Sequence, residues 1–123
     1  MMKKRKSSMR AAVARADREF GRYIRERDGS CVLCGARPVQ CGHIISRSQR
    51  TTRWDDRNAF GQCAGCNLRH EYNPEIFINW FVNRFGWDVW ERLSSKAHTH
   101  RKMTEDEINA IADKYAALNR RSA

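Results

Sequence analysis

No run of apolar residues in this chain approaches the roughly 20 needed to cross a bilayer as a helix, which argues against a membrane-spanning segment. The first ten residues, Met1 to Arg10, are basic but lack the apolar stretch and small-residue cleavage site of a secretory signal. There is no internal repeat and no low-complexity tract. The expectation is a cytoplasmic protein, in a compartment that keeps thiols reduced. Acidic residues are scarce: 14 Asp and Glu stand against 24 Lys and Arg, for a formal charge of +10. An imbalance of that size makes a polyanion the expected partner, because each neutralised phosphate releases condensed counterions. With 123 residues, 41% of them hydrophobic, the chain can build one domain with a modest core.

What is present is organised in blocks. Residues 1–27 carry ten Lys and Arg against three acids, Asp17, Glu19 and Glu26. The first ten are expected to form a disordered basic arm. Residues 11–30 are expected to hold a helix, with Phe20, Tyr23 and Ile24 at helical spacing and Asp28-Gly29 as its stop. From Cys31 to Cys66 no long periodic segment occurs. Short stretches near Val39–Ile45 and Ala59–Gln62 suit a hairpin, separated by an Arg-rich loop, Ser46 to Asn58, too long for a tight turn. A helix is expected from Ala64 to about Tyr72.

After Asn73-Pro74, the aromatic-rich segment to Phe85 suits a helix that Gly86 ends, and Trp87, Trp90 and Leu93 suit another. These aromatics are read as core in preference to base-stacking surfaces. Thr104 and Glu107 have the spacing of a capping box, followed by Ile108, Ile111, Ala112, Tyr115 and Leu118 on one helix face.

Cys31-Val-Leu-Cys34 and Cys63-Ala-Gly-Cys66 are two CxxC pairs. Each pair can present two thiolates to one tetrahedral ion, with Gly35 and Gly65 easing the turns. Four thiolates saturate a structural Zn²⁺ and leave no open position for chemistry. Zinc would also supply folding energy that a core of this size lacks. Cys41 is the odd cysteine and reads as a small buried hydrophobe.

Between the knuckles lies Gly42-His43-Ile44-Ile45, then Arg47, Arg50 and Arg53, then Asn58; Asn67 follows Cys66 directly and His70 comes three residues later. Order and position relative to the knuckles are informative where each residue alone is not. Here the chain resembles the HNH (ββα-metal, His-Me finger) endonucleases, and among them the phage recombination proteins of the lambda NinG (Rap) family. The matching residues are Cys31-x-x-Cys34 and Cys41 to Arg47. The match continues through Thr52 to Asp55, Asn58 and Gln62 to Asn67, and ends at Asn73. Phage endonuclease VII is similar in a looser way.

The resemblance, which covers about residues 30–86, implies a ββα module; the expected fold is α+β, with that module zinc-stapled over residues 31–73 and a helical part over 74–123 packing on it in a single domain. It implies His43 as general base, Asn58 steadying the loop beside it, and Asn67 binding Mg²⁺ or Mn²⁺, with His70 completing that site or simply exposed on the helix. It also places Arg47, Arg50 and Arg53 against DNA phosphates. The residue types suit the chemistry: a neutral imidazole accepts a proton near pH 7, and a hard cation takes oxygen ligands. Gly42 departs from the pattern, because many HNH proteins carry an Asp or His metal ligand there. The activity implied is metal-dependent hydrolysis of DNA, including branched recombination intermediates, by a monomer or homodimer of phage or prophage origin. The competing readings are a non-catalytic zinc module that binds nucleic acid, and a nuclease directed at RNA.

Overall fold

The computed structural model describes the backbone of residues 2–122 and the side chains of residues 8–121. The fold is α+β: six helices and one two-stranded sheet among the described residues. Their order is α1 (Met2–Asp28), β1 (Gln40–His43), α2 (Arg50–Arg53), β2 (Ala59–Gln62), α3 (Ala64–Tyr72), α4 (Glu75–Phe85), α5 (Trp87–His98) and α6 (Glu105–Ser122). None of the helices is long and apolar enough to cross a membrane.

The chain divides into two compact units. The first comprises α1 up to Tyr23 together with residues from Lys102 onward. Ala12, Ala16 and Phe20 recur on one face of α1, and Ile108, Ala112 and Tyr115 on one face of α6; all six are buried. Phe20 meets Tyr115 edge-on with ring centroids 5.0 Å apart. The buried Asn119 donates from Nδ2 to the Glu19 carbonyl at 2.9 Å. The capping box expected from Thr104 and Glu107 forms, with Glu107 N–H donating to the Thr104 hydroxyl at 3.2 Å.

One expectation is corrected in this unit. The arm expected to be disordered over residues 1–10 is helical from Met2, Met1 lying outside the described residues. Residues 2–19 contain neither Gly nor Pro, so nothing local stops the helix from extending. Helix α6 shares a unit with α1, its apolar stripe matching the alanine-rich face of α1.

The second unit spans Ile24–Arg101 and carries the sheet. Strands β1 and β2 pair antiparallel in the register Gln40↔Gln62, Cys41↔Gly61, Gly42↔Phe60 and His43↔Ala59. All four residues of β2 are buried. Phe60 enters a core with Ile44, Phe77, Phe81 and Leu93, and Trp80 packs edge-on against it at 4.9 Å. Gly61 is covered from the other side, its N–H donating to Asp28 Oδ2 at 2.7 Å. Helices α4 and α5 therefore supply an aromatic lid for the hairpin, as read from the sequence. Gly86 makes the break between them at φ +97°, which an L side chain would resist. Trp87 remains more than half exposed.

Candidate metal centre and adjoining cleft

The two CxxC pairs meet. The Sγ atoms of Cys31, Cys34, Cys63 and Cys66 all lie within 4.8 Å of one another, so the four could hold one metal ion. The first knuckle turns because Gly35 takes φ +80° and donates to the Cys31 carbonyl at 2.8 Å. The second sits at the start of α3, where Cys63 is the N-cap and its sulfur accepts from Cys66 N–H. Gly65, expected to ease a turn, lies in the first turn of α3 and needs no positive φ.

The thiols are electrically unequal. Burial opposes charge on Cys31, but hydrogen bonds from the backbone of Cys63, Cys34 and Leu33 outweigh it and lower that thiol to about 6. Burial, then the neighbouring sulfurs, push Cys66 up to about 12. Four thiols this close cannot all ionise without a cation among them. A tetrahedral thiophilic ion meets that demand, and structural Zn²⁺ is the ion whose chemistry the set fits.

Beside this centre, His43, Ile44, Ser46, Arg47, Cys41, Asn67, His70 and Glu71 line an open cleft of about 370 Å³. The sequence-identified His43, Asn67, His70 and Arg47 thus face one space. His43, half-buried at the end of β1, is held by a 2.8 Å hydrogen bond between its Nε2 and the carbonyl of Arg53. A carbonyl only accepts, so Nε2 carries the proton and the neutral ring has its lone pair on Nδ1.

Asn58 is fully buried and ties the loop to the strand. Its Oδ1 accepts from Ile45 N–H at 2.9 Å, and its Nδ2 donates to the Ile45 and Thr52 carbonyls, each at 3.0 Å. Asn58 is absent from the cleft lining, so its contribution is to position. The residue whose carbonyl it holds, Thr52, directly precedes Arg53. Replacing Asn58 by Ala should lower stability by about 3 kcal/mol, since it orphans buried backbone groups. Asn58→Asp should cost more, because a carboxylate oxygen would then face two carbonyls. Urea unfolding of both variants against wild type checks the order.

Asn67 stands in the first turn of α3 and donates from Nδ2 to Gln40 Oε1 at 3.0 Å. That bond turns its Oδ1 toward Gly42: a Cβ built on Gly42 would lie 3.1 Å from Asn67 Oδ1 and 2.1 Å from Gln62 Oε1. His70 is anchored, with Nε2 bonded to the Ile44 carbonyl at 2.8 Å and its ring edge-on to Phe77. Its Nδ1 is buried without a hydrogen-bond partner among the described residues.

The arginines diverge. Arg47 is exposed and lines the cleft. Arg53 lies over the Trp54 ring at 5.4 Å, and Arg50 is exposed at the start of α2. Asp55, in the same loop, pairs with Lys96 of α5 at 2.7 Å.

Sequence reasoning missed Gln40, Gln62, Glu71 and the place of Cys41 on the cleft wall. Gln40 and Gln62 looked like ordinary polar strand residues, and only their pairing across the hairpin brings them to Asn67 and Gly42. Glu71 lies four residues after Asn67, a helical spacing that could have drawn attention to it.

Comparison with known proteins extends the resemblance over nearly the whole chain. The profile of the family described as Bacteriophage Lambda NinG protein matches residues 1–122. The chain belongs to the NinG family. Its relatives include protein ninG of Escherichia phage 933W, 29% identical over 109 residues, covering 84% of this chain and 54% of that protein. Protein ninG of Escherichia phage lambda is 27% identical over 109 residues, with 84% and 53% covered. The chain therefore spans about half the length of the curated NinG relatives it matches. No solved structure matches it.

Proposed function

We propose that this NinG-family chain is a metal-dependent DNA endonuclease of the HNH type, stapled by a structural zinc. The observation that carries the reading is the convergence of His43 and Asn67 on one cleft, with His43 held in the Nδ1 lone-pair tautomer. The hairpin β1–β2 followed by α3 supplies the ββα arrangement such a site requires.

His43 Nδ1 takes the proton from the attacking water, and the Arg53 carbonyl stabilises the imidazolium that results. Asn58 holds the segment that carries that carbonyl. Asn67 offers an amide oxygen, a donor that suits Mg²⁺ or Mn²⁺ and leaves most of the ion's waters in place. The bound cation would offset charge on the scissile phosphate and leaving oxygen. His70 supports the site by tying α3 to the end of β1. Arg47 contacts a backbone phosphate from the cleft wall, and Arg50 and Arg53 extend that basic surface; these contacts fix register without reading sequence.

The substrate proposed is DNA, with branched recombination intermediates as the preferred form, inside a bacterial cell carrying the phage or prophage. The deciding measurement incubates the zinc-loaded protein with supercoiled plasmid and with a synthetic four-way junction. Mg²⁺ or Mn²⁺ is supplied, and EDTA serves as control. Cutting that requires the cation is the expected result. Tight binding with no cutting under either metal would overturn the nuclease in favour of a nucleic-acid-binding module, and cutting confined to RNA would overturn the substrate.

A further inference from the structure

Gln62 is the least comfortable residue in the sheet. It is fully buried at the end of β2, and neither Oε1 nor Nε2 has a hydrogen-bond partner among the described residues. A buried carboxamide with both ends unsatisfied is disfavoured, and methionine of similar length would fill the same space without that cost. The position of its oxygen gives a reason to keep it. Gln62 Oε1 lies 2.1 Å from where a Cβ on Gly42 would stand, and Asn67 Oδ1 lies 3.1 Å from that same point. Two amide oxygens from different elements therefore converge beside Gly42, and Asn67 is turned there by its bond to Gln40.

Gly42 and Gln62 explain each other. Any side chain at position 42 would collide with the Gln62 carboxamide, so glycine is the residue that admits it. The resemblance to HNH proteins leads one to expect a metal ligand at position 42. A glycine there removes that ligand from β1, and the paired strand brings an oxygen to the same place.

We infer that Gln62, through Oε1, is a second protein ligand of the divalent cation at Asn67, replacing from β2 the ligand that Gly42 cannot provide. Both donors are neutral oxygens, which suits a hard cation and leaves the phosphate to supply negative charge. Gln40 acts as a positioning residue, because its bond to Asn67 Nδ2 keeps Asn67 Oδ1 toward the ion. The inference rests on the metal-dependent reading above.

The test measures Mn²⁺ binding by electron paramagnetic resonance of the free ion, on the zinc-loaded 123-residue chain without DNA. Wild type, Gln62→Met, Asn67→Ala and the double variant Gly42→Asp with Gln62→Ala are compared. Gln62→Met should weaken Mn²⁺ binding about 10–100-fold while zinc content stays the same and the thermal midpoint without Mn²⁺ holds or rises. The double variant, with room for a carboxylate in place of the amide, should regain Mn²⁺ binding. Wild-type affinity in Gln62→Met, with Asn67→Ala impaired, would overturn the role of Gln62 alone. Absence of Mn²⁺ binding in wild type itself would overturn the metal reading along with it. If Gln62→Met fails to fold, the double variant decides: binding restored by Asp at position 42 supports the inference, and binding lost there refutes it.

Discussion

Replacing His43 by Ala should reduce metal-dependent DNA cleavage by about 10²–10⁴-fold while DNA affinity stays within about twofold of wild type. The magnitude is that of removing a positioned general base. Retained affinity follows because the excess of 24 basic over 14 acidic residues, which governs attraction to phosphate, is untouched. His43 is only half-buried, at the end of β1, so the variant should still fold. Single-turnover cleavage of plasmid, with gel shift on the same preparation, reads both quantities. Equal losses of cleavage and affinity would assign His43 to DNA binding instead. Undiminished cleavage would remove it from the chemistry altogether.

Removal of the knuckle metal should have the largest effect on stability. Replacing Cys66 by Ser, or stripping the ion with a chelator, should abolish cooperative unfolding of the Ile24–Arg101 unit, at a cost of about 10 kcal/mol. The reason lies in what the four thiols hold: the segment before β1 through Cys31 and Cys34, and the start of α3 through Cys63 and Cys66. Both Asn67 and the hairpin are placed through those attachments. Near-ultraviolet circular dichroism of Trp54 and the α4–α5 aromatics should collapse on chelation, whereas helical signal from α1 up to Tyr23 and from α6 should persist, since those residues form the other unit.

The pH dependence of that site has a definite sign. Cys66, pushed up to about 12 without metal, holds its proton at neutrality, so binding must displace it. Cys31, lowered to about 6 from 9, is already largely ionised at pH 7.5 and protonates as pH falls through 6. Zinc affinity should therefore fall with falling pH, about tenfold per pH unit for each proton displaced. Chelator competition at pH 6 and pH 8 measures the slope, and an affinity indifferent to pH would rule out thiolate ligation.

The four-cysteine cluster, the hairpin, the helix after it and the capping box at Thr104 were legible in the sequence because each rests on local spacing. Two CxxC pairs, a glycine at a positive-φ turn and a Thr-x-x-Glu cap state their geometry within a few residues. The order of His43, Asn58 and Asn67 along the chain singled them out, and the fold places two of them, His43 and Asn67, on one cleft. Asn58 steadies the loop as the resemblance implied, as a buried clamp absent from the cleft wall, whereas His70 is an anchor to Ile44.

Two further matters were decided by tertiary structure alone. The partner of α6 depends on which apolar stripe fits which, and the alanine-rich face of α1 admits it closely. The environment of Gly42 depends on strand register, because a shift of one residue in β1–β2 pairing would turn Gln62 away from it. Spacing along one segment is written in the sequence, so motifs and caps could be read there. The convergence of Gln40, Gln62 and Asn67 arises from pairing and packing between segments, where only the folded chain brings them together.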